Sequence, residues 1–146
     1  MTPSQRLHAA GLRTTPVREA VLRILGKAGR PLSHQEIARR PGLAGVDRVT
    51  LYRTLATLQK NGLLHSVRGL DGAWRFADPP ALAERCAGNH VHFLCLACNQ
   101  MTCLPEQPLP WVEEPAGAEV EGKQLIVYGR CARCKTRSRR GRTHGP

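Results

Sequence analysis

The stretch Cys86-Ala-Gly-Asn-His-Val-His-Phe-Leu-Cys-Leu-Ala-Cys-Asn-Gln-Met-Thr-Cys103 decides how the rest of the chain is read. It holds four of the six cysteines, with His90 and His92 between them. The other two, Cys131 and Cys134, repeat the spacing of Cys95-x-x-Cys98 after a gap of thirty-two residues. One such turn aims two sulfurs at one ion and two turns complete a tetrahedron, so Cys95, Cys98, Cys131 and Cys134 are expected to hold a structural Zn2+. The competing readings are a pair of disulfides or a redox dithiol, and nothing in the chain signals the oxidising compartment that disulfides need.

Working outward, residues 90–95 alternate as a strand, with His90, His92 and Leu94 on one face and Val91, Phe93 and Cys95 on the other. The two histidines therefore point away from the four-cysteine site, and any metal they bind is a second ion. Cys86 and Cys103 are left over once the knuckles are satisfied and flank the histidines, so they complete an S2N2 set or else are reduced core thiols. Further strands are expected near Met101 to Leu104 and Lys123 to Tyr128. Four prolines between Pro105 and Pro115 exclude a long helix there.

At 146 residues the chain has room for one ordinary domain or two small ones, and a small core is commonly reinforced by a structural metal. The net charge of +11 is unevenly placed: 13 basic against 5 acidic residues in 1–80, 4 against 6 in 81–134, and 5 against 0 in 135–146. A basic module beside a metal-binding one points to a polyanion such as nucleic acid, or to a merely solubilising surface. No apolar run approaches the length of a membrane span, and the N-terminus has none of a leader's character, so a cytoplasmic protein without a membrane partner is expected.

The basic half reads as helices and a hairpin. Residues 3–10 form a short leading helix. Thr14 or Thr15 caps a second helix with Pro16 in its first turn and Val17, Ala20, Val21, Ile24 and Leu25 as its apolar stripe, ended by Gly29 and Pro31. Ser33-His34-Gln35-Glu36 is a capping box opening the next helix, with Ile37 inward, His34 toward solvent and Pro41-Gly42 closing it. Asp47 caps a helix from Arg48 to Lys60, stopped by Asn61-Gly62. Val49, Leu51, Leu55 and Leu58 are expected to face the core, while Arg48, Thr50, Tyr52, Arg53 and Thr57 form a face suited to a major groove. A hairpin follows, turning through Gly69-Leu70-Asp71-Gly72. Three helices and a two-stranded wing make a winged helix-turn-helix, ended by Asp78-Pro79-Pro80. The expected fold is thus α+β: a winged-helix DNA-binding domain over 1–80, a small metal-binding domain over 81–134 with the four-cysteine site, and a basic disordered tail over 135–146.

Four segments together resemble one known family: Gly-Leu-Arg-Thr-Thr-Pro-Val-Arg-Glu-Ala-Val-Leu at 11–22, Asp-Arg-Val-Thr-Leu-Tyr-Arg-Thr-Leu at 47–55, His-Val-His-Phe-Leu-Cys-Leu-Ala-Cys at 90–98 and Tyr-Gly-Arg-Cys-Ala-Arg-Cys at 128–134. In this order they resemble the ferric uptake regulator family, and among its members the zinc uptake regulators most. The resemblance implies a homodimeric repressor that binds palindromic duplex operators when a regulatory metal is bound, with 81–134 as the dimerisation domain. It implies structural zinc on Cys95, Cys98, Cys131 and Cys134, base contacts from Tyr52 and Arg53, and Arg13 near the minor groove. It places the regulatory site on Cys86, His90, His92 and Cys103, with His65 of the wing resembling a ligand in other members. The chain departs from the family at Pro31, where a hinge histidine often stands, and at 105–115, where prolines replace the dimerisation helix.

Two thiolates with imidazoles are soft donors that favour tetrahedral Zn2+, whereas ferrous and manganous sites lean on carboxylates. A zinc-responsive repressor is therefore expected, with an iron- or peroxide-responsive regulator of the same family as the alternative. A zinc enzyme is a remote third: a deaminase wants His-x-Glu before Pro-Cys-x-x-Cys, and the residue two after His90 is another histidine. No catalytic residue and no small-molecule substrate are expected.

Overall fold

In this computed structural model, residues 1–79 and 90–140 are described. Each N-terminal helix starts where a side chain can take its first free N–H. Thr2 and Gln5 form a capping box for α1, Pro3–Ala9; Thr15 caps α2, Pro16–Ala28, which ends at Gly29 in the left-handed region at φ 60°. Ser33 and Glu36 box α3, His34–Ala38, and Asp47 caps α4, Arg48–Lys60. Leu7, Val21, Leu22, Leu25, Ile37, Leu51, Leu55 and Leu58 are all almost fully buried in one core.

Strands β1 (Leu32–Ser33), β2 (His65–Arg68) and β3 (Trp74–Ala77) form the wing sheet in the order β1-β3-β2, with His65 opposite Ala77 and Arg68 opposite Trp74. The guanidinium of Arg6 clamps Asp78 at the end of β3 and also donates to the Leu63 carbonyl, fixing the hairpin to α1. At the tip, Arg75 is 1 % exposed and paired with Asp71, and a Cβ on Gly69 would lie 2.1 Å from the Arg75 guanidinium, so only glycine leaves room for that pair.

The second sheet has the order β5-β4-β6, from β5 (Met101–Pro108), β4 (His90–Cys95) and β6 (Leu125–Gly129). β4 runs antiparallel to β5 and parallel to β6. Val67 of the wing packs with Leu94 and Met101, so the two sheets share a small second core. Helix α5, Ala132–Arg140, closes the described chain.

Four expectations are corrected. Val49 is 57 % exposed, because the apolar stripe of α4 closes on Leu51, Thr54, Leu55 and Leu58 and leaves position 49 on the outer face. β5 continues past Leu104 to Pro108; its two prolines are tolerated because β5 is an edge strand with one side free of ladder bonds. α3 stops at Ala38, short of Pro41, and residues 32–33 pair with β3 as a strand. The basic segment from residue 135 is helical to Arg140: its lack of apolar residues suggested disorder, but the Cys131 turn nucleates a helix and Ala, Arg and Lys propagate it. Among the described residues no helix is long and apolar enough to cross a membrane.

Candidate metal centres and nucleic-acid interface

The sulfurs of Cys95, Cys98, Cys131 and Cys134 all lie within 4.8 Å of one another. The geometry is made by backbone. Asn99 N–H donates to the Cys95 carbonyl at 2.8 Å, with Asn99 itself left-handed at φ 59°, and Leu96 N–H donates to Gly129 at 2.8 Å, which brings the first knuckle against the end of β6. Cys131 N–H donates to Cys95 Sγ at 3.3 Å. That bond, with the Cys98 N–H, lowers the Cys95 thiol to about 6, while Cys131 and then burial push Cys134 up to about 12. Four thiols this close cannot all ionise beside one another, and a dication removes that conflict. All four are free thiols, gathered as one group of four and not as two separate pairs.

A second cluster joins the two sheets. Donor atoms of His65 from β2, His90 and His92 from β4 and Cys103 from β5 also lie within 4.8 Å of one another. His92 stands opposite Cys103 in the ladder, the His65 Nε2 is 3.7 Å from Cys103 Sγ, and the His90 and His92 ring centroids are 4.5 Å apart. Burial, then the neighbouring His90, lowers His65 to about 4; burial, then His90 and His65, does the same to His92, and burial lowers His90. Neutral imidazole is the ligating form. Among the described residues neither His92 nitrogen has a hydrogen-bond partner, nor has His65 Nδ1. A buried imidazole with two unsatisfied nitrogens is costly, and a bound ion would take up the lone pair of one of them. The donor set, three imidazoles and a thiol, fits Zn2+. Of the expected regulatory residues the structure gathers His90, His92, Cys103 and the wing's His65, while Cys86 lies outside the described residues.

The lowered histidines carry a consequence for the metal-free protein. An unfolded imidazole titrates near 6.5, so between that pH and about 4 the unfolded chain binds more protons than the folded one. The histidines' share of stability is expected to be constant above pH 6.5 and to fall as pH drops toward 4. Denaturant titrations at pH 7, 6 and 5 of protein whose histidine site alone has been emptied by mild chelation should show that slope, and His92→Leu should reduce it; a slope unchanged by His92→Leu places the titrating group elsewhere.

Along α4, Arg48, Thr50, Tyr52 and Arg53 are exposed, as is Arg13 before α2. Thr50 is partly occupied: both its N–H and its hydroxyl donate to the Asp47 carboxylate that caps the helix. Tyr52 is held in a stack. The His34 ring lies 3.9 Å from it, centroid to centroid, at 19°, and the Arg48 guanidinium sits 5.5 Å from the Tyr52 centroid. His34 was expected in solvent and is instead half-buried, because its place on the first turn of α3 faces α4; no local sequence signal reports that meeting. A cleft of about 970 Å3 separates Arg48, Tyr52 and Gln59 of α4 from Ser66 and Trp74 of the wing and reaches Cys98 and Asn99.

Residues 9–124 match the ferric uptake regulator family. Among curated proteins the chain is 27 % identical over 135 residues to a peroxide-responsive repressor of Staphylococcus epidermidis, covering 88 % of this chain and 85 % of that one. A peroxide-responsive repressor of Staphylococcus aureus is 26 % identical over 88 % and 86 %. Among solved structures it is similar to a zinc uptake regulator complexed with zinc and DNA (TM-score 0.66, 18 % identity, 93 % of this chain and 92 % of that chain). It is also similar to the Vibrio cholerae ferric uptake regulator (TM-score 0.62, 20 % identity, 88 % and 98 %). These structural likenesses bear out the α+β fold of winged helix followed by a small mixed sheet. The chain belongs to the ferric uptake regulator family of metal-responsive transcriptional regulators.

Proposed function

We propose that this protein is a zinc-responsive, cytoplasmic transcriptional repressor that binds palindromic duplex operators as a homodimer, with residues 1–80 as the DNA-binding domain and 81–134 as the metal-binding and dimerisation domain. The observation that carries the reading is the second cluster: His65 belongs to the wing and His90, His92 and Cys103 to the other sheet, yet their donor atoms lie within 4.8 Å. A bound metal supplies one positive centre shared by both modules. His65 would hold the wing, His90 and His92 the central strand and Cys103 the edge strand, so that the α4 reading helices of two protomers keep the separation a palindrome requires. Cys95, Cys98, Cys131 and Cys134 would hold a structural Zn2+. The soft donors of both sites support zinc over ferrous iron or manganese.

The peroxide-responsive alternative draws on the names of the curated relatives. A DNA-binding titration against buffered zinc, ferrous iron and manganese separates the two readings. Operator binding at the lowest free zinc supports ours; binding with ferrous iron, lost on adding peroxide, supports the alternative.

On α4, Arg53 is proposed to read a base and Arg48, Tyr52 and Arg13 to join the contact. Arg53→Ala should weaken operator binding by about 1 to 3 kcal/mol if the contact is bidentate to guanine, leaving metal content unchanged. Parent-like operator affinity of Arg53→Ala in a gel-shift titration would move the reading face elsewhere.

A further inference from the structure

We propose that helix α5 is a second duplex-DNA contact, binding phosphates without regard to sequence; this rests on the DNA-binding reading above. Of its nine residues five are basic, Arg133, Lys135, Arg137, Arg139 and Arg140, and none is acidic. The helical period sets positions 133 and 137 along one stripe. Arg133, Lys135 and Arg137 are exposed. The ion pairs of the described residues join Arg6 to Asp78, Arg30 to Glu36 and Arg75 to Asp71, so among those residues no carboxylate neutralises these three cations. Like charges four residues apart weaken a helix, and a row of phosphates turns that repulsion into attraction.

The charges are carried on an anchored arm. Lys135 N–H donates to the Cys131 carbonyl at 2.9 Å, so α5 grows directly out of the second knuckle, and Arg133 reaches Gln100 of the first at 3.5 Å. The first knuckle in turn meets the wing tip: Arg75 donates to the Asn99 carbonyl at 3.5 Å and Asn99 Nδ2 to Asp71 at 3.4 Å. Cys98 and Asn99 also wall the cleft that Arg48 and Tyr52 line from the other side. The base of α5 is therefore tied to the side of the molecule that carries the reading helix. Duplex DNA is the polyanion that the proposed reading helix and the +8 N-terminal segment would engage together, and at one charge per about 1.7 Å it presents several phosphates to a helix of nine residues. Phosphate contacts of this kind add affinity and not sequence preference.

The test compares the zinc-loaded parent with Arg133→Gln/Lys135→Gln/Arg137→Gln, titrating operator and random duplexes over a range of salt. Each phosphate contact contributes about 0.9 to the slope of log affinity against log salt. The triple variant should lose about two to three from that slope, and both affinities at 0.1 M salt should fall by the same factor, about tenfold or more. Should the triple variant lose its zinc, a chain ended after Thr136 removes Arg137, Arg139, Arg140 and Arg142 beyond the knuckle and must also lower the slope with operator and random duplex alike. An unchanged slope, a loss confined to the operator, or a loss seen with RNA or an acidic polypeptide but not with duplex DNA overturns the proposal. A parent protein without operator preference removes the repressor reading instead, while the random-duplex slope still decides the role of α5.

Discussion

Cys98→Ser is expected to yield aggregated or persistently unfolded protein, whereas the parent folds. Cys98 is one of four sulfurs gathered within 4.8 Å from two separate knuckles, and the knuckles are what join β4 to the end of β6 and start α5. The C-terminal sheet has little else. Among the described residues its buried apolar side chains are few: Val91, Leu94 and Met101, the last two packed with the wing's Val67 and with Ile126, while Leu125, Val127 and Tyr128 of β6 are exposed. A structural zinc in a four-thiolate site contributes about 10 to 16 kcal/mol at neutral pH, comparable to the whole stability of an ordinary domain. Serine offers a poor ligand, and three remaining thiolates cannot recover that energy. Far-ultraviolet circular dichroism, size-exclusion profile and zinc content of Cys98→Ser measure the effect. A soluble, cooperative variant with the parent's thermal midpoint would show that the four-cysteine cluster is not what holds this sheet together.

How much of this was legible in the sequence follows from where each signal resides. Helix α4 was expected over Arg48 to Lys60 and is found there, because its start and stop are written locally, in the Asp47 side chain and in Asn61-Gly62. The knuckles were legible for the same reason, and the alternation along residues 90–95 correctly sends His92 and Cys95 to different clusters. His65 is different. Only the family resemblance suggested it, because its meeting with Cys103 spans thirty-eight positions and depends on the wing docking on the second sheet through Val67. Val49 and His34 failed alike: helical periodicity gives a stripe but not how wide the partner surface is or which neighbour covers its edge. The helix in the basic segment has no apolar stripe to announce it, because α5 is nucleated by the knuckle it grows from and not by burial of a face.

His65→Ala and Cys103→Ser should separate holding a metal from responding to it. Three donors of the second cluster, His90, His92 and Cys103, stand on neighbouring strands of one sheet, and His65 alone comes from the wing. Cys103→Ser removes the only described thiol of the site, the one ligand that would bind as an anion, and leaves three neutral imidazoles, so the second zinc equivalent should yield to a competing chelator while the four-cysteine site keeps its own. The protein should stay soluble and thermally cooperative, because Cys103 lies on edge strand β5, away from the knuckles. His65→Ala leaves three donors on the sheet, which should still bind zinc, more weakly. What it removes is the tie to the wing. Contacts independent of metal remain there, among them Gln124 bonding both backbone groups of Arg68, so the modules do not fall apart; they lose the bias between arrangements. Coupling between an effector and a second ligand is typically about 1 to 3 kcal/mol, or 5- to 150-fold in affinity. Both variants should lose that whole factor, binding operator in saturating zinc no better than the metal-free parent. They should differ in zinc retention, with one equivalent per chain for Cys103→Ser and two for His65→Ala after remetallation in the presence of a competing chelator. Normal zinc-dependent operator binding by His65→Ala would mean that the wing is positioned without this cluster, and that the closeness of its four side chains is packing rather than a switch.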